Sequence, residues 1–309
     1  MVDTRQELLL TLPVKSRDSE AYPEEFSYSG LCGLVPDKMH TGNLRRVRRL
    51  GVGAEGTTWL EQNRETGVYW ACKVMKVREM IEEMPREVWI RKHCMSPDHR
   101  SLVRLNGWCV TGTAPEQRCR IYYEYCAGGD LQQLIPRGHP ARHPEGFIWH
   151  VFIQLAEALH EMHSRGPQHV VHRDVKPANV FLTSRYRPNH GYPTVKLGDY
   201  GFSCTEENTA ATRVTWSYMG PEIECSAEGD IWALGAVIHA LCHGFSPVSQ
   251  SRSDWKCDPR ARRPKNLPLR YSDALHWQVM SCLRADRGDR PNSETLVRRL
   301  HRERPREHS

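Results

Sequence analysis

No apolar run in these 309 residues approaches the roughly 20 residues that a membrane-spanning helix needs. Leu8-Leu9-Leu10 is too short for a signal-peptide core and follows acidic residues, so neither secretion nor a membrane partner is expected. Cysteine lacks pattern: the 11 cysteines include no Cys-x-x-Cys pair and no Cys/His spacing suited to zinc. An odd, scattered set predicts free thiols in a reducing compartment, cytoplasmic or nuclear. His160 and His163 share a helical face, but no third ligand accompanies them, so they read as structural. Internal repeats are missing, which excludes a solenoid or propeller. A strong charge excess is missing too: 43 Lys and Arg against 37 Asp and Glu leave a net charge of +6. That excess sits in short runs, Arg45-Arg46 with Arg48-Arg49 and Arg260 to Lys265, which read as solvated faces rather than a nucleic-acid surface. With 39% apolar and 26% charged residues the chain is globular, with room for one large two-lobed domain or two small ones.

What the chain does have is concentrated in one stretch, Val170-Val171-His172-Arg173-Asp174-Val175-Lys176-Pro177-Ala178-Asn179-Val180-Phe181-Leu182. A polar loop lies between apolar flanks, and Val180 to Leu182 leads out as a short buried strand. Asp174 can accept a proton from a hydroxyl nucleophile. Lys176 can neutralise charge on a transferring phosphoryl group, and Asn179 offers an amide oxygen to a hard cation such as Mg²⁺. The combination suits phosphoryl transfer, in which positioning and charge neutralisation carry most of the catalysis.

Further upstream, Gly51, Gly53 and Gly56 punctuate Leu50-Gly51-Val52-Gly53-Ala54-Glu55-Gly56-Thr57-Thr58. Glycines so spaced let a backbone approach phosphates closely. In a dinucleotide fold a helix follows such glycines at once. Here Thr57 to Leu60 reads as a strand, Asn63 to Gly67 as a turn and Val68 to Met75 as a second strand. Lys73 stands mid-strand among apolar residues, and a buried lysine needs a partner charge. Glu87 in Pro85-Arg86-Glu87-Val88-Trp89-Ile90 is the leading partner, since Pro85 suits the first turn of a helix. Glu82 and Glu83 are its rivals.

These stretches, in this order, resemble the eukaryotic protein kinases. The loop matches H-R-D-x-K-P-x-N, and Gly198-Asp199-Tyr200-Gly201 matches D-F-G with Tyr for Phe. Thr215-Trp216-Ser217-Tyr218-Met219-Gly220-Pro221-Glu222 is similar to the family's T-x-x-Y-M-A-P-E, and Ala71-Cys72-Lys73 to the end of its V-A-I-K. The resemblance implies an α+β fold of two lobes: a small β-rich lobe with one main helix over a larger helical lobe. It covers residues 44–301, with the small lobe about 44–125 and the large lobe about 126–301. Residues 1–43 are expected to be a tail with little fixed structure, and 302–309 a second tail.

The resemblance implies a Ser/Thr protein kinase that uses ATP and Mg²⁺ and acts on protein substrates. Asp174 would be the catalytic base, assisted by Lys176. Lys73 would hold the α- and β-phosphates and pair with Glu87, and Asn179 and Asp199 would hold the metal. The glycine stretch Leu50 to Thr58, with Ala71 and Phe181, would line the nucleotide pocket. Backbone groups of about Glu124 and Cys126 would bind adenine, with Tyr123 guarding the back. Glu222 would meet Arg290, and Asp230 would brace the catalytic loop. An upstream kinase is expected to phosphorylate Ser203, Thr205, Thr209 or Thr212, the last favoured, whereas Thr215 would contact Asp174. Glu206 and Glu207 could supply the negative charge instead. Lys196-Leu197-Gly198-Asp199 and Arg270-Tyr271-Ser272-Asp273 are similar to the NIMA-related group. Several departures motivate a pseudokinase as the alternative: Tyr200, Arg91 at a usually apolar position, Thr58 where Val usually covers adenine, and the short linker from Glu222 to Asp230.

Overall fold

The computed structural model describes residues 32–33, 43–53, 55–112, 116–135, 143–165, 169–187, 191–205, 218–222, 226–247 and 264–305. Its first layer is built from extended segments rich in β-branched and aromatic residues. They are β1 (Cys32–Gly33), β2 (Leu44–Val52), β3 (Gly56–Asn63) and β4 (Tyr69–Lys76), then the short hairpin β5 (Met80–Ile81) and β6 (Met84–Pro85). Helix α1 (Arg86–His93) follows, then β7 (Leu105–Thr111) and β8 (Arg118–Glu124). The sheet order is β1-β7-β8-β4-β3-β2, and every pairing in it is antiparallel. Asn63 makes the β3–β4 turn: its side-chain oxygen accepts from the amides of Glu65 and Thr66, both at 2.9 Å, and Gly67 takes φ 72°. The Cβ of any other residue at Gly56 would run into the Val74 carbonyl, so the β3–β4 approach requires glycine there.

Two expectations shift. The apolar residues of Leu102-Val103-Arg104-Leu105 read as a strand, but β7 begins only at Leu105. Leu102 and Val103 pair instead with Leu197 across the cleft, through a parallel bridge and a 2.8 Å bond from the Val103 amide. Within the expected N-terminal tail, Cys32 and Gly33 form β1, opposite Cys109 and Trp108 on β7. An open sheet edge carries unpaired amides and carbonyls, and β1 supplies partners for that stretch of β7. The rest of residues 1–42 lies outside the described residues.

The second layer is helical. It contains α2 (Glu145–Ser164), β9 (Val170–Val171), β10 (Val180–Leu182), β11 (Val195–Leu197), β12 (Cys204–Thr205), α3 (Ala227–His243), α4 (Asp273–Cys282) and α5 (Ser293–Glu303). α2 packs against α5, α3 and β11, and most of its residues from Phe147 to Met162 are buried. α3, α4 and α5 start at side-chain caps: Ser226 accepts from the Gly229 amide, Ser272 from Leu275 and Asn292 from Thr295. α3 stops at Gly244, whose φ of 85° suits glycine. β10 pairs with β11, and β9 with β12, so both ends of the polar loop are tied to neighbouring strands. Cys72, Cys94, Cys109, Cys119, Cys126, Cys204, Cys242 and Cys282 are buried free thiols.

Candidate active site

Lys73 lies on β4 between Thr58 on β3 and Ile121 on β8, and it is 8% exposed. Its Nζ donates to Asp199 at 2.7 Å, to Glu87 at 2.8 Å and to Glu55 at 3.1 Å. Burial alone would lower the lysine pKa, but Glu87, Asp199 and Glu55 outweigh it and raise it well above the ordinary value. Burial pushes the Glu87 carboxyl up, opposed by Lys73. Burial would also raise Asp199, yet the lysine beside it holds that carboxyl below the usual range. Glu87 has a further partner: the Tyr123 hydroxyl donates to its Oε1 at 2.8 Å. Glu82 and Glu83 occupy the two-residue β5–β6 turn with φ of 47° and 63°, away from Lys73. A left-handed pair suits that hairpin, so Glu87 alone of the three reaches the lysine.

The catalytic-loop residues form a second knot. Lys176 Nζ donates to Asp174 Oδ2 at 2.7 Å. Asn179 Nδ2 donates to the Asp174 carbonyl at 2.8 Å and to its Oδ2 at 2.9 Å. The Asn179 amide nitrogen is thus engaged with Asp174. The Gly198 amide donates to the Asn179 carbonyl at 3.0 Å, so the residue before Asp199 is joined to the loop. Arg173 and Asp199 take φ of 70° and 64°, uncommon for residues other than glycine. Such backbone persists where its surroundings over-determine it. Here Asp230, at the start of α3, accepts the His172 amide at 2.7 Å and the Arg173 amide at 2.9 Å. His163 stands 3.0 Å from Asp230, so its structural role is to seat that brace. His172 is fully buried, and burial lowers its pKa.

At the rear of the cleft, the Glu124 amide is taken by the Arg104 carbonyl at 3.0 Å, and its carboxylate meets Lys196 at 2.8 Å. Burial pushes the Cys126 thiol up to about 12. Leu50, Thr57, Thr58, Ala71 and Phe181 are half-buried, whereas Gly51, Val52 and Gly53 are exposed; Ala54 lies outside the described residues. Ser203 is fully buried and so is not a ready phosphate acceptor, whereas Thr205 is half-buried and pairs through its backbone with Val170. Thr209, Thr212, Thr215, Glu206 and Glu207 lie outside the described residues. Arg290 Nη1 and Nη2 meet the Glu222 carboxylate at 2.5 and 2.7 Å.

Three contacts lay beyond the sequence reading. Glu55 turns from the glycine stretch onto Lys73, Tyr123 supports Glu87, and Arg86 donates to the carbonyls of Gly201 and Ser203 at 2.8 and 2.7 Å. The only signal for the last was the position of Arg86 beside Glu87. The donors offered by Asp199 and Asn179 are carboxylate and amide oxygens, hard ligands that fit Mg²⁺. Among the described residues, Glu55, Glu87 and Asp199 also bring carboxylate oxygens within 4.8 Å of one another. Lys73 already lies among those three.

A lysine joined to a helix glutamate and to an aspartate, beside a braced acid–lysine–asparagine loop, is the arrangement that the resemblance to the protein kinases implies. The chain belongs to the protein kinase family: the model of the protein kinase domain matches residues 44–300. It is similar to the mouse serine/threonine-protein kinase Nek2, 34% identical over 190 residues, which covers 57% of this chain and 41% of that protein. It is also similar to the G2-specific protein kinase nimA of Emericella nidulans, 33% identical over 213 residues (57% of this chain, 29% of that protein). A Toxoplasma gondii serine/threonine-protein kinase, Nek1, is 29% identical over 267 residues, 80% of this chain and 16% of its own length. The chain therefore matches less than half the length of each of these relatives. NIMA-related kinases recur among them, in agreement with the resemblance read from Lys196 to Asp199 and Arg270 to Asp273.

Proposed function

We propose that this protein transfers the γ-phosphoryl group of ATP to serine or threonine hydroxyls of protein substrates. The observation that carries the reading is the position of Lys73, 2.8 Å from Glu87 and 2.7 Å from Asp199. In this reading Glu87 and Tyr123 orient Lys73 toward the α- and β-phosphates, and Glu55 gives up its place on the lysine when they arrive. Asp174, steadied by Lys176 and Asn179, orients the acceptor hydroxyl and takes its proton. Asp199 and Asn179 would hold Mg²⁺, which when bound supplies charge neutralisation on the transferring phosphate. Lys176 follows the pattern of Ser/Thr kinases. The relatives named above carry that activity in their names. Among the described residues no helix is long and apolar enough to cross a membrane. A cytoplasmic or nuclear site of action belongs to the same proposal.

The test is transfer of labelled phosphate from ATP with Mg²⁺ to a generic basic protein, beside Asp199→Ala. The variant is expected to lose several kcal/mol of transition-state stabilisation, which takes the rate below detection. Product analysis is expected to return phosphoserine or phosphothreonine. Equal, non-zero rates in both proteins, or phosphotyrosine as the main product, would defeat the proposal.

A further inference from the structure

Arg91 is a cation inside the protein, 1% exposed, one turn beyond Glu87 on α1. Isolated buried charge is costly, so its surroundings must repay desolvation with good hydrogen bonds. They are three backbone carbonyls: Nε donates to Val103 at 3.0 Å, Nη1 to Ser96 at 3.1 Å and Nη2 to Pro97 at 3.1 Å. The guanidinium also lies 5.8 Å from the centre of the Tyr200 ring. Tyr200 is itself fully buried, and its hydroxyl reaches the Leu197 carbonyl at 2.8 Å and the same Val103 carbonyl at 3.2 Å. Two of the residues that depart from the family pattern therefore converge on one acceptor. A phenylalanine and an aliphatic residue at these positions could make none of these bonds.

The same helix holds the same turn at a second place. Arg86, at the first position of α1, donates to the Gly201 carbonyl at 2.8 Å and the Ser203 carbonyl at 2.7 Å, and Glu79 lies 3.1 Å from it. Between Arg86 and Arg91 on α1 lies Glu87, and between Gly198 and Gly201 lie Asp199 and Tyr200. Thus α1 and the Asp199 turn are joined three times: through Arg86, through Glu87–Lys73–Asp199, and through Arg91 with Tyr200. The first and third joints use neither Lys73 nor any added group.

We infer that Arg86, Arg91 and Tyr200 are positioning residues that hold α1 against the Asp199 turn, so that Glu87, Lys73 and Asp199 are assembled by the chain itself, independently of phosphate on residues 206–217. This deepens the proposed kinase reading and rests on it. Arg91 and Tyr200 replace an apolar contact with a polar, directional one. Such a contact tolerates less displacement, because a hydrogen bond weakens steeply with angle and distance whereas apolar packing does not.

Tyr200→Phe removes a single hydroxyl and is the variant chosen to keep its fold; Arg91→Met and Arg86→Met complete the set. Amide exchange measured on the protein alone is expected to rise about tenfold in residues 86–93 of Arg91→Met, and measurably in Tyr200→Phe, with β4, β8 and α2 unchanged. The Mg²⁺ concentration for half-maximal transfer is expected to rise about threefold in Tyr200→Phe, at a temperature well below its melting point. Wild-type enzyme treated with phosphatase is expected to keep most of its rate. Exchange that rises equally throughout the molecule, or an unchanged Mg²⁺ requirement, would reduce these residues to a structural role and overturn the inference. So would loss of the wild-type rate on phosphatase treatment. A wild type with no transfer activity in any state sinks the kinase reading alone, and exchange in α1 still decides this one.

Discussion

Glu55 and a nucleotide phosphate want the same partner. The carboxylate lies 3.1 Å from Lys73 with both side chains 11% exposed, which is where a polyphosphate would place its own negative oxygens. Glu55→Gln keeps the size and removes the charge, so Lys73 retains two carboxylates rather than three. ATP would then displace a weaker competitor. We expect KM for ATP to fall about twofold to fivefold in steady-state kinetics, the range a partly exposed ion pair accounts for. A raised KM would mean that Glu55 assists the nucleotide. Asp174, Lys176, Asn179 and Asp199 could be read from sequence because each is chemically specific and sits in a short, ordered motif. Tyr123 on Glu87 could not, since 36 residues separate them and only the pairing of β4 with β8 brings that hydroxyl to the helix. Arg91 and Tyr200 showed as exceptions in the sequence, but their mutual compensation needs the Val103 carbonyl, which belongs to neither motif.

At the level of elements, the clearest dependence is that of residues 218–222 on the short turn before α5. Arg290 has no side-chain exposure, and besides Glu222 it donates to the carbonyls of Arg284, Ala285 and Glu228. Removing it strands Glu222 and three carbonyls at once. Breaking one side of such a buried pair costs roughly 3–5 kcal/mol. Arg290→Leu should therefore melt about 10 °C lower by calorimetry, given some 2–4 °C per kcal/mol for a domain this large. A melting curve that overlays the wild type would remove the pair from any role in stability. Both partners stood out in the sequence through their motifs. The β5–β6 hairpin did not, because nothing in Glu82-Glu83 advertises a turn with two left-handed residues; glycine or asparagine is the usual sign.

For the molecule as a whole, buried histidines kept neutral contribute to acid sensitivity between neutral pH and about pH 5. His239 on α3 is fully buried, stacks on His243 at 4.1 Å between ring centres and lies 3.1 Å from the Lys265 carbonyl. Burial, with His243 beside it, lowers its pKa to about 3. In the unfolded chain a histidine titrates near 6.5, so the folded state binds fewer protons between the two values. Stability from this group is complete above about pH 6.5 and is lost as the pH falls toward 3, about 2 kcal/mol of it by pH 5. His99, His143 and His243 are lowered in the same direction, burial being the main cause each time. The melting temperature should fall between pH 7.5 and 5, and His239→Gln should narrow that fall. An unchanged pH dependence in the variant would locate the acid sensitivity elsewhere.

The arginines of β2 have a consequence for the protein in concentrated solution. Among the described residues β2 closes one side of the sheet, and an open edge of that kind is a template on which another copy could zip itself. Arg45, Arg48 and Arg49 are exposed along it, and the β2–β3 ladder loses register between Arg46 and Arg48 and again between Arg49 and Gly51. Like charges meeting edge to edge repel, and an irregular strand offers no straight row of amides to a neighbour. The run of basic residues thus works against two copies joining along this strand, which keeps its pairing with β3 the only one it makes among the described residues.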